Sequence, residues 1–316
     1  MRHTILGAGA IAKELVSVLR AHNLDIRLVS VSPEHVVGAE SIAADAVKFE
    51  QVLQAIKGSD VVYLVMELAY KAKVWEKKWP LIMHNVIRAC KIERARLVYL
   101  DNIYMYGHAE GIITEDMPYT YSGRKGRVKA NIAKMLLKQM ETGRIVASIG
   151  RAVHLYGPGM GAESTVGRLV FDRMKHHKKA LWPINADVPR SLSYIRDVAE
   201  ALFILATRDK AIGEVWHLPA ASPLTGRQFV GMAAEYMHRP NRLTVLPRWL
   251  LGIAGNFIPS LAEACRVNYQ HEYPLHFSSE KFEKAFKYLP TSHEDGIMET
   301  AAWHLTQERH TINRAA

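Results

Sequence analysis

The chemistry available to this sequence is concentrated in a glycine-rich turn and in a set of tyrosines and lysines nearer its middle. Gly7-Ala-Gly9-Ala-Ile-Ala12 follows a short apolar run and opens a helical pattern, which is the G-x-G-x-x-G/A arrangement in the context that gives it meaning. Gly7 permits a tight turn, Gly9 lets the backbone approach a pyrophosphate, and Ala12 is small enough for close helix packing. The start of that helix then faces the phosphates of a dinucleotide. Tyr121, Lys125 and Lys129 are spaced four apart, so Tyr121 with Lys125, or Lys125 with Lys129, can share one helical face.

A sheet must hold these groups together. Short apolar runs alternate with longer amphipathic segments, the pattern of repeated βαβ units around a parallel sheet. Strands are expected at 3–6, 26–31, 60–65, 97–100 and 145–149, and helices at 10–22, 49–57, 75–90 and 125–141. The fold class is α/β, a Rossmann-type doubly wound sheet with a smaller, mainly helical C-terminal substrate lobe. Residues 1–159 make the dinucleotide-binding part, 190–220 return to it, and 160–189 with 221–316 make the lobe. Right-handed crossovers bring all strand carboxyl ends to one edge, where a ligand binds. The lobe, lying across that edge, closes a cleft.

The end of the second strand normally identifies the nicotinamide cofactor. Here Ser30-Val31-Ser32-Pro33 offers hydroxyls and no acid, which removes the main repulsion against a 2′-phosphate and leans the choice between NADP and NAD towards NADP. Asp45 stands where it suits either an adenine contact or a helix cap.

Composition limits the alternatives. The chain has 316 residues, 49% hydrophobic and 23% charged, the profile of a folded globular protein. Lys plus Arg number 41 against 31 Asp plus Glu, so the net charge is +10. The basic residues are scattered, and the densest run, 173–179, lacks interleaved aromatics, so a nucleic-acid partner is not favoured. Several basic residues instead fall on cleft-bordering segments and suit an anionic small-molecule substrate. Two cysteines, Cys90 and Cys265, make neither a disulfide framework nor a thiolate metal cluster, and His176, His177, His271 and His276 lack metal-site spacing. The start reads straight into a strand without an export signal, and no segment supplies about 20 unbroken apolar residues, so a cytoplasmic, membrane-free protein is expected. No G-x-S-x-G elbow, H-E-x-x-H or phosphate-loop lysine motif occurs.

Four motifs follow one another in order: the glycine turn, Asp101-Asn102-Ile-Tyr104-Met-Tyr106-Gly107, Arg151-Ala-Val-His-Leu-Tyr156-Gly-Pro-Gly159, and Tyr194-Ile-Arg-Asp197-Val-Ala. Together they resemble the extended short-chain dehydrogenase/reductases, the NAD-dependent epimerase/dehydratase group, over nearly the whole chain. The resemblance implies a nicotinamide-dependent oxidoreductase or epimerase acting on a hydroxyl or carbonyl carbon, with nucleotide sugars among its substrates. It also implies a tyrosinate exchanging the substrate hydroxyl proton, a lysine four residues later, and a hydroxyl on the reacting oxygen. A phenol titrates at about 10, so a fixed cation within about 4–6 Å is what makes it a base near neutral pH.

This chain departs from that pattern as an atypical branch. Alignment on Tyr106-Gly107 puts Asn102 at the hydroxyl position; an amide can polarise a carbonyl but not relay a proton. One register places Lys125 at the tyrosine position and Lys129 at the lysine position, where Tyr104, Tyr121 or a Lys125 activated by neighbouring cations must substitute. A second restores Tyr121 and Lys125 as the usual pair but needs the helix to begin a turn earlier. Tyr156 is expected at the nicotinamide end, Arg190 and Tyr194 with Tyr104 on the substrate side, Arg151 as a strand anchor or substrate ligand, and Asp197 as a tie between lobes. Relatives commonly dimerise through a four-helix contact, here 75–90 and 125–141. Loss of turnover with retained binding, a dinucleotide sensor, is the rival reading.

Overall fold

The computed structural model describes residues 1–257 and 269–315; Cys265 lies outside them. Seven strands, β1 (Arg2–Leu6), β2 (Asp25–Ser30), β3 (Glu40–Ala43), β4 (Val61–Leu64), β5 (Arg96–Asp101), β6 (Ala147–Arg151) and β7 (Val215–His217), form one sheet. The order is β7-β6-β5-β4-β1-β2-β3 and every pairing is parallel. Central strands such as β4 are buried on both faces, which is why they read as unbroken Val-Val-Tyr-Leu rather than as alternation.

Helices α1 (Ala10–Ala21) and α5 (Ile195–Thr207) cover one face, and α2 (Phe49–Ala55), α3 (Ala72–Glu93) and α4 (Gly123–Glu141) the other. The chain is therefore doubly wound, as its periodicity implies. Three boundaries differ from expectation. β3 was not foreseen: it is a short, half-exposed edge strand with a single large apolar residue, Ile42, and so has no periodicity to read. β6 starts two residues later than the apolar run, because Gly143 at φ +63 and the Arg144 N–H bonded to the Gln139 carbonyl close α4 first. α3 extends past Cys90 until Arg94 adopts the left-handed conformation and its N–H returns to the Cys90 carbonyl.

Beyond β6 lie α6 (Gly226–Tyr236), α7 (Glu280–Phe286) and α8 (His293–Ala315), with short two-residue pairings between them. α6 begins with a capping box, in which Thr225 accepts from the Gln228 N–H and Gln228 returns to the Thr225 N–H. One apolar cluster runs from Ile5, Leu15 and Val198 through Phe171 and Trp182 to Phe229 and Ile297, so sheet and later helices share a core. Asp197 ties the same parts, accepting from Tyr288 Oη at 2.9 Å, Thr291 N at 2.8 Å and Thr291 Oγ1 at 2.7 Å.

Four buried histidines, His3, His154, His217 and His304, have their pKa values lowered by burial, to about 4, 3, 3 and 4. The unfolded chain takes up these protons near pH 6.5, whereas the folded chain resists them. Stability is therefore full above about pH 6.5 and lost as pH falls towards 4, by about 1.4 kcal/mol per pH unit for each site in that window. Thermal melts across this range should show the decline, and His217→Gln should flatten it by one proton. An unchanged slope in that variant would refute the assignment.

Candidate active site

Parallel crossovers deliver the candidate residues to one edge of the sheet. After β1, Gly7 turns at φ +129, and a Cβ there would stand 2.8 Å from Met66 Cα at the end of β4. Only glycine fits that turn. Gly9 precedes α1 without a side-chain cap, the first turn carries no acid, and Ala12 is buried in the helix contact. The Ala10 N–H is met instead by Glu163 Oε2 at 3.1 Å. Ser32 is exposed beyond β2, where Glu34, also exposed, pairs with Lys13 of α1 at 2.8 Å. Asp45 is occupied locally: its Oδ1 accepts from the Val47 N–H at 3.0 Å and its carbonyl from the Lys48 N–H, the turn leading into α2.

α4 carries the two lysines, both 4% exposed. Lys129 Nζ lies 3.0 Å from Asp101 Oδ1 and donates to Tyr99 Oη at 2.8 Å, while Tyr99 Oη donates to the same carboxylate oxygen at 3.0 Å. The Trp79 ring centroid is 4.5 Å from Lys129 Nζ. One turn earlier, Lys125 Nζ stands 2.8 Å from the Tyr70 ring centroid and 5.5 Å from that of Trp75. Aromatic faces attract an ammonium. Asp101 pairs with Lys129, while the Tyr70 and Trp75 rings stand against Lys125.

Asn102 follows directly. Its N–H donates to Asp101 Oδ1 at 2.9 Å, and its side-chain oxygen accepts from the Tyr104 N–H at 3.0 Å, so its amide nitrogen is the group left for donation. Tyr104 Oη is 3.1 Å from Tyr70 Oη. Tyr121 precedes α4, which begins at Gly123 after Ser122; it is 36% exposed and shares no helical face with Lys125. The early helix start required by the second register is thus absent, because Gly123 takes φ +73 where the chain turns into α4.

On the lobe side the outcome is divided. Arg190 is 3% exposed, pairs Nη1 with His271 Nδ1 at 2.7 Å, and has its pKa lowered to about 10 by burial. Tyr194 is 2% exposed and its hydroxyl donates to Glu299 Oε2 at 2.5 Å. Tyr156 is likewise withdrawn, 1% exposed, edge-on to Phe229 and with its hydroxyl against Gly296. Both tyrosines pack against α8, at Gly296 and Glu299. Arg151 is an anchor, donating to the Tyr106 and Tyr119 hydroxyls. Tyr106 is bonded in turn to His217 Nε2 at 2.7 Å, whose Nδ1 donates to the Ser278 carbonyl at 2.9 Å.

Several participants were missed. Glu67, just past β4, is open to solvent on one side yet enclosed by protein on the others. That enclosure raises its carboxyl pKa; Lys129 opposes the rise, while Glu163 and Asp101 reinforce it. Trp75 and Trp79 repeat at the same four-residue interval as Lys125 and Lys129, a signal that could have paired α3 with α4. Glu163 and Tyr70 carry no sequence signal. Among the described residues no group of three or more His, Cys, Asp or Glu could hold a metal ion, and no helix is long and apolar enough to cross a membrane.

The family model for the NAD dependent epimerase/dehydratase family matches residues 4–218. An uncharacterized protein from Sinorhizobium fredii is 26% identical over 143 residues, 44% of this chain and 38% of that protein. The chain thus spans little more than a third of that curated relative. Among solved structures, a dTDP-glucose 4,6-dehydratase from Streptomyces venezuelae with NAD bound has a TM-score of 0.80 at 15% identity, covering 98% of each chain. A UDP-glucuronic acid 4-epimerase from Bacillus cereus, in complex with UDP-glucuronic acid and NAD, has a TM-score of 0.78 at 17% identity, covering 97% of this chain and 100% of that one. The seven-stranded parallel sheet is the fold they share. With the family model covering more than half of its length, the chain belongs to the NAD dependent epimerase/dehydratase family.

Proposed function

We propose that this protein is an NAD(P)-dependent oxidoreductase or epimerase that acts on a hydroxyl- or carbonyl-bearing anionic small molecule of the nucleotide-sugar class. One observation carries the reading: the glycine turn and the Asn102, Lys125 and Lys129 cluster meet at the same carboxyl edge of the sheet. The solved neighbours, which hold NAD with nucleotide sugars, support the choice of substrate class.

A dinucleotide fits the residues present. The absent side chain of Gly9 lets a group approach the start of α1, and the Ala10 N–H already bonds a carboxylate oxygen there. Gly7, Gly9 and Ala12 would hold the pyrophosphate, and Ser32 with Lys13 the adenosine end. The nicotinamide, when bound, supplies the hydride acceptor or donor. The preference for NADP rests on β2 ending in Ser30 rather than an acid, with Lys13 near enough to meet a 2′-phosphate if its pair with Glu34 opens.

Asn102 Nδ2 and Lys125 Nζ act as donors to the reacting oxygen, stabilising charge that develops there. Lys129, committed to Asp101 and Tyr99, holds α4 against β5 and takes less part than the family pattern implies. Arg190 serves the anionic part of the substrate. Residues 160–189 and 221–316 form the substrate side. A cytoplasmic setting agrees with Cys90 as a buried free thiol. A homodimer would use the outer faces of α3 and α4, where Ile87, Arg88, Ile92 and Met135 line a groove of about 370 Å³.

Purified protein should melt higher with NADPH and with NADH, more so with NADPH, and Gly9→Val should abolish both shifts. Absence of any shift in the wild type would overturn the reading. Turnover on a panel of nucleotide sugars, followed by nicotinamide absorbance, should fall by about 100-fold or more in Lys125→Met, with dinucleotide affinity kept within about threefold. Tyr121→Phe should leave it unchanged; a loss there would instead restore Tyr121 as the base. Binding without turnover across the panel would favour a dinucleotide sensor.

A further inference from the structure

The start of α1 is stabilised from far along the chain. Gly9 cannot cap it, the first turn has no acid, and the Ala10 N–H is satisfied by Glu163, 153 residues away in sequence. The carboxylate does more than touch one amide. Its two oxygens stand 3.1 and 3.6 Å from the point where a Cβ on Gly9 would lie, so it fills the space beside the second fingerprint glycine. That is the space Gly9 leaves open for a pyrophosphate to approach the backbone. A carboxylate and a phosphate are alternative anions for the same N–H groups and the same positive helix end, and they repel one another if both are present.

Glu163 reaches this point from the short turn Gly161–Glu163. Gly157, Gly159 and Gly161 all have positive φ, at +142, +78 and +32, and a Cβ at Gly159 or Gly161 would meet nothing within 4 Å. The backbone around Glu163 is held, with Met160 in the core and Ser164 Oγ donating to the Leu155 carbonyl at 2.7 Å, so the exposed Glu163 side chain is the part free to move.

Resting on the reading of this cleft as a dinucleotide site, we infer that Glu163 is a tethered anion that occupies the cofactor's phosphate position in the free protein. Dinucleotide entry displaces it, and the Glu163 side chain rotates out of the phosphate position as the cofactor binds. The device sets the affinity for phosphate-bearing ligands and holds the α1 start in order while no cofactor is present.

The test is calorimetric binding of NADH, ADP and adenosine to full-length wild type, Glu163→Ala and Glu163→Gln, each first checked for a cooperative melt. Removing the competitor should lower the Kd of NADH and of ADP by about three- to tenfold in Glu163→Ala. The gain should be smaller in Glu163→Gln, whose amide oxygen still accepts from Ala10 N–H, and adenosine, which has no phosphate, should bind all three proteins alike. Unchanged Kd values for NADH and ADP in both variants would overturn the inference while leaving the cofactor reading intact. Weaker binding of NADH and ADP would overturn it by making Glu163 a cofactor contact. Equal tightening of adenosine would overturn it by placing the effect away from the phosphates. Failure of all three proteins to bind NADH or ADP would remove the cofactor reading itself, and the inference with it.

Discussion

Lys129 and Asp101 bring opposite charges together where their side chains keep 5% and 0% of their exposure. Burial on that scale is tolerated only with a partner and further hydrogen bonds, and removing one member typically costs about 3–5 kcal/mol. Tyr99 supplies the bonds here, donating to the acid and accepting from the amine. Because Asp101 ends β5 and Lys129 lies on α4, the pair fixes the rotation of the helix against the sheet. With that rotation set, Lys125 one turn earlier must lie over Tyr70 and Trp75, and Asn102 must leave the strand beside them. The arrangement of the cluster thus follows from one buried ion pair.

That pair also shows how two lysines one turn apart on α4 are accommodated in a buried setting. Two lysines one helical turn apart would normally repel each other. Here an acid at the end of β5 absorbs one charge and a wall of aromatic rings receives the other.

Much of the architecture was legible because it repeats. Parallel strands buried on both faces announce themselves as apolar runs, and the glycine turn marks where the first of them meets its helix. The edge strand β3 was not legible, since half-exposed pairing imposes no pattern. The site was legible in part. Residue spacing placed Lys125 and Lys129 on one face of α4, but Asp101 and Tyr70 lie on other elements, and only the folded chain brings them there. Tyr156 and Tyr194 show the opposite limit: a motif places an element, whereas the direction of a side chain depends on what packs behind it, here Gly296 and Glu299.

The core shared by the sheet and the later helices bears on how the chain is made. Phe171, Trp182 and Phe229 pack with Ile297 and Ala301 of α8, and β7 joins the sheet from beyond residue 214. A nascent chain that has emerged as far as Phe229 carries this aromatic surface but still lacks the helix that covers it. Synthesis at about 5–20 residues per second leaves that surface uncovered for several seconds. Folding therefore finishes only after α8 has left the ribosome, and this interval, rather than the completed native state, is when the protein most needs a chaperone.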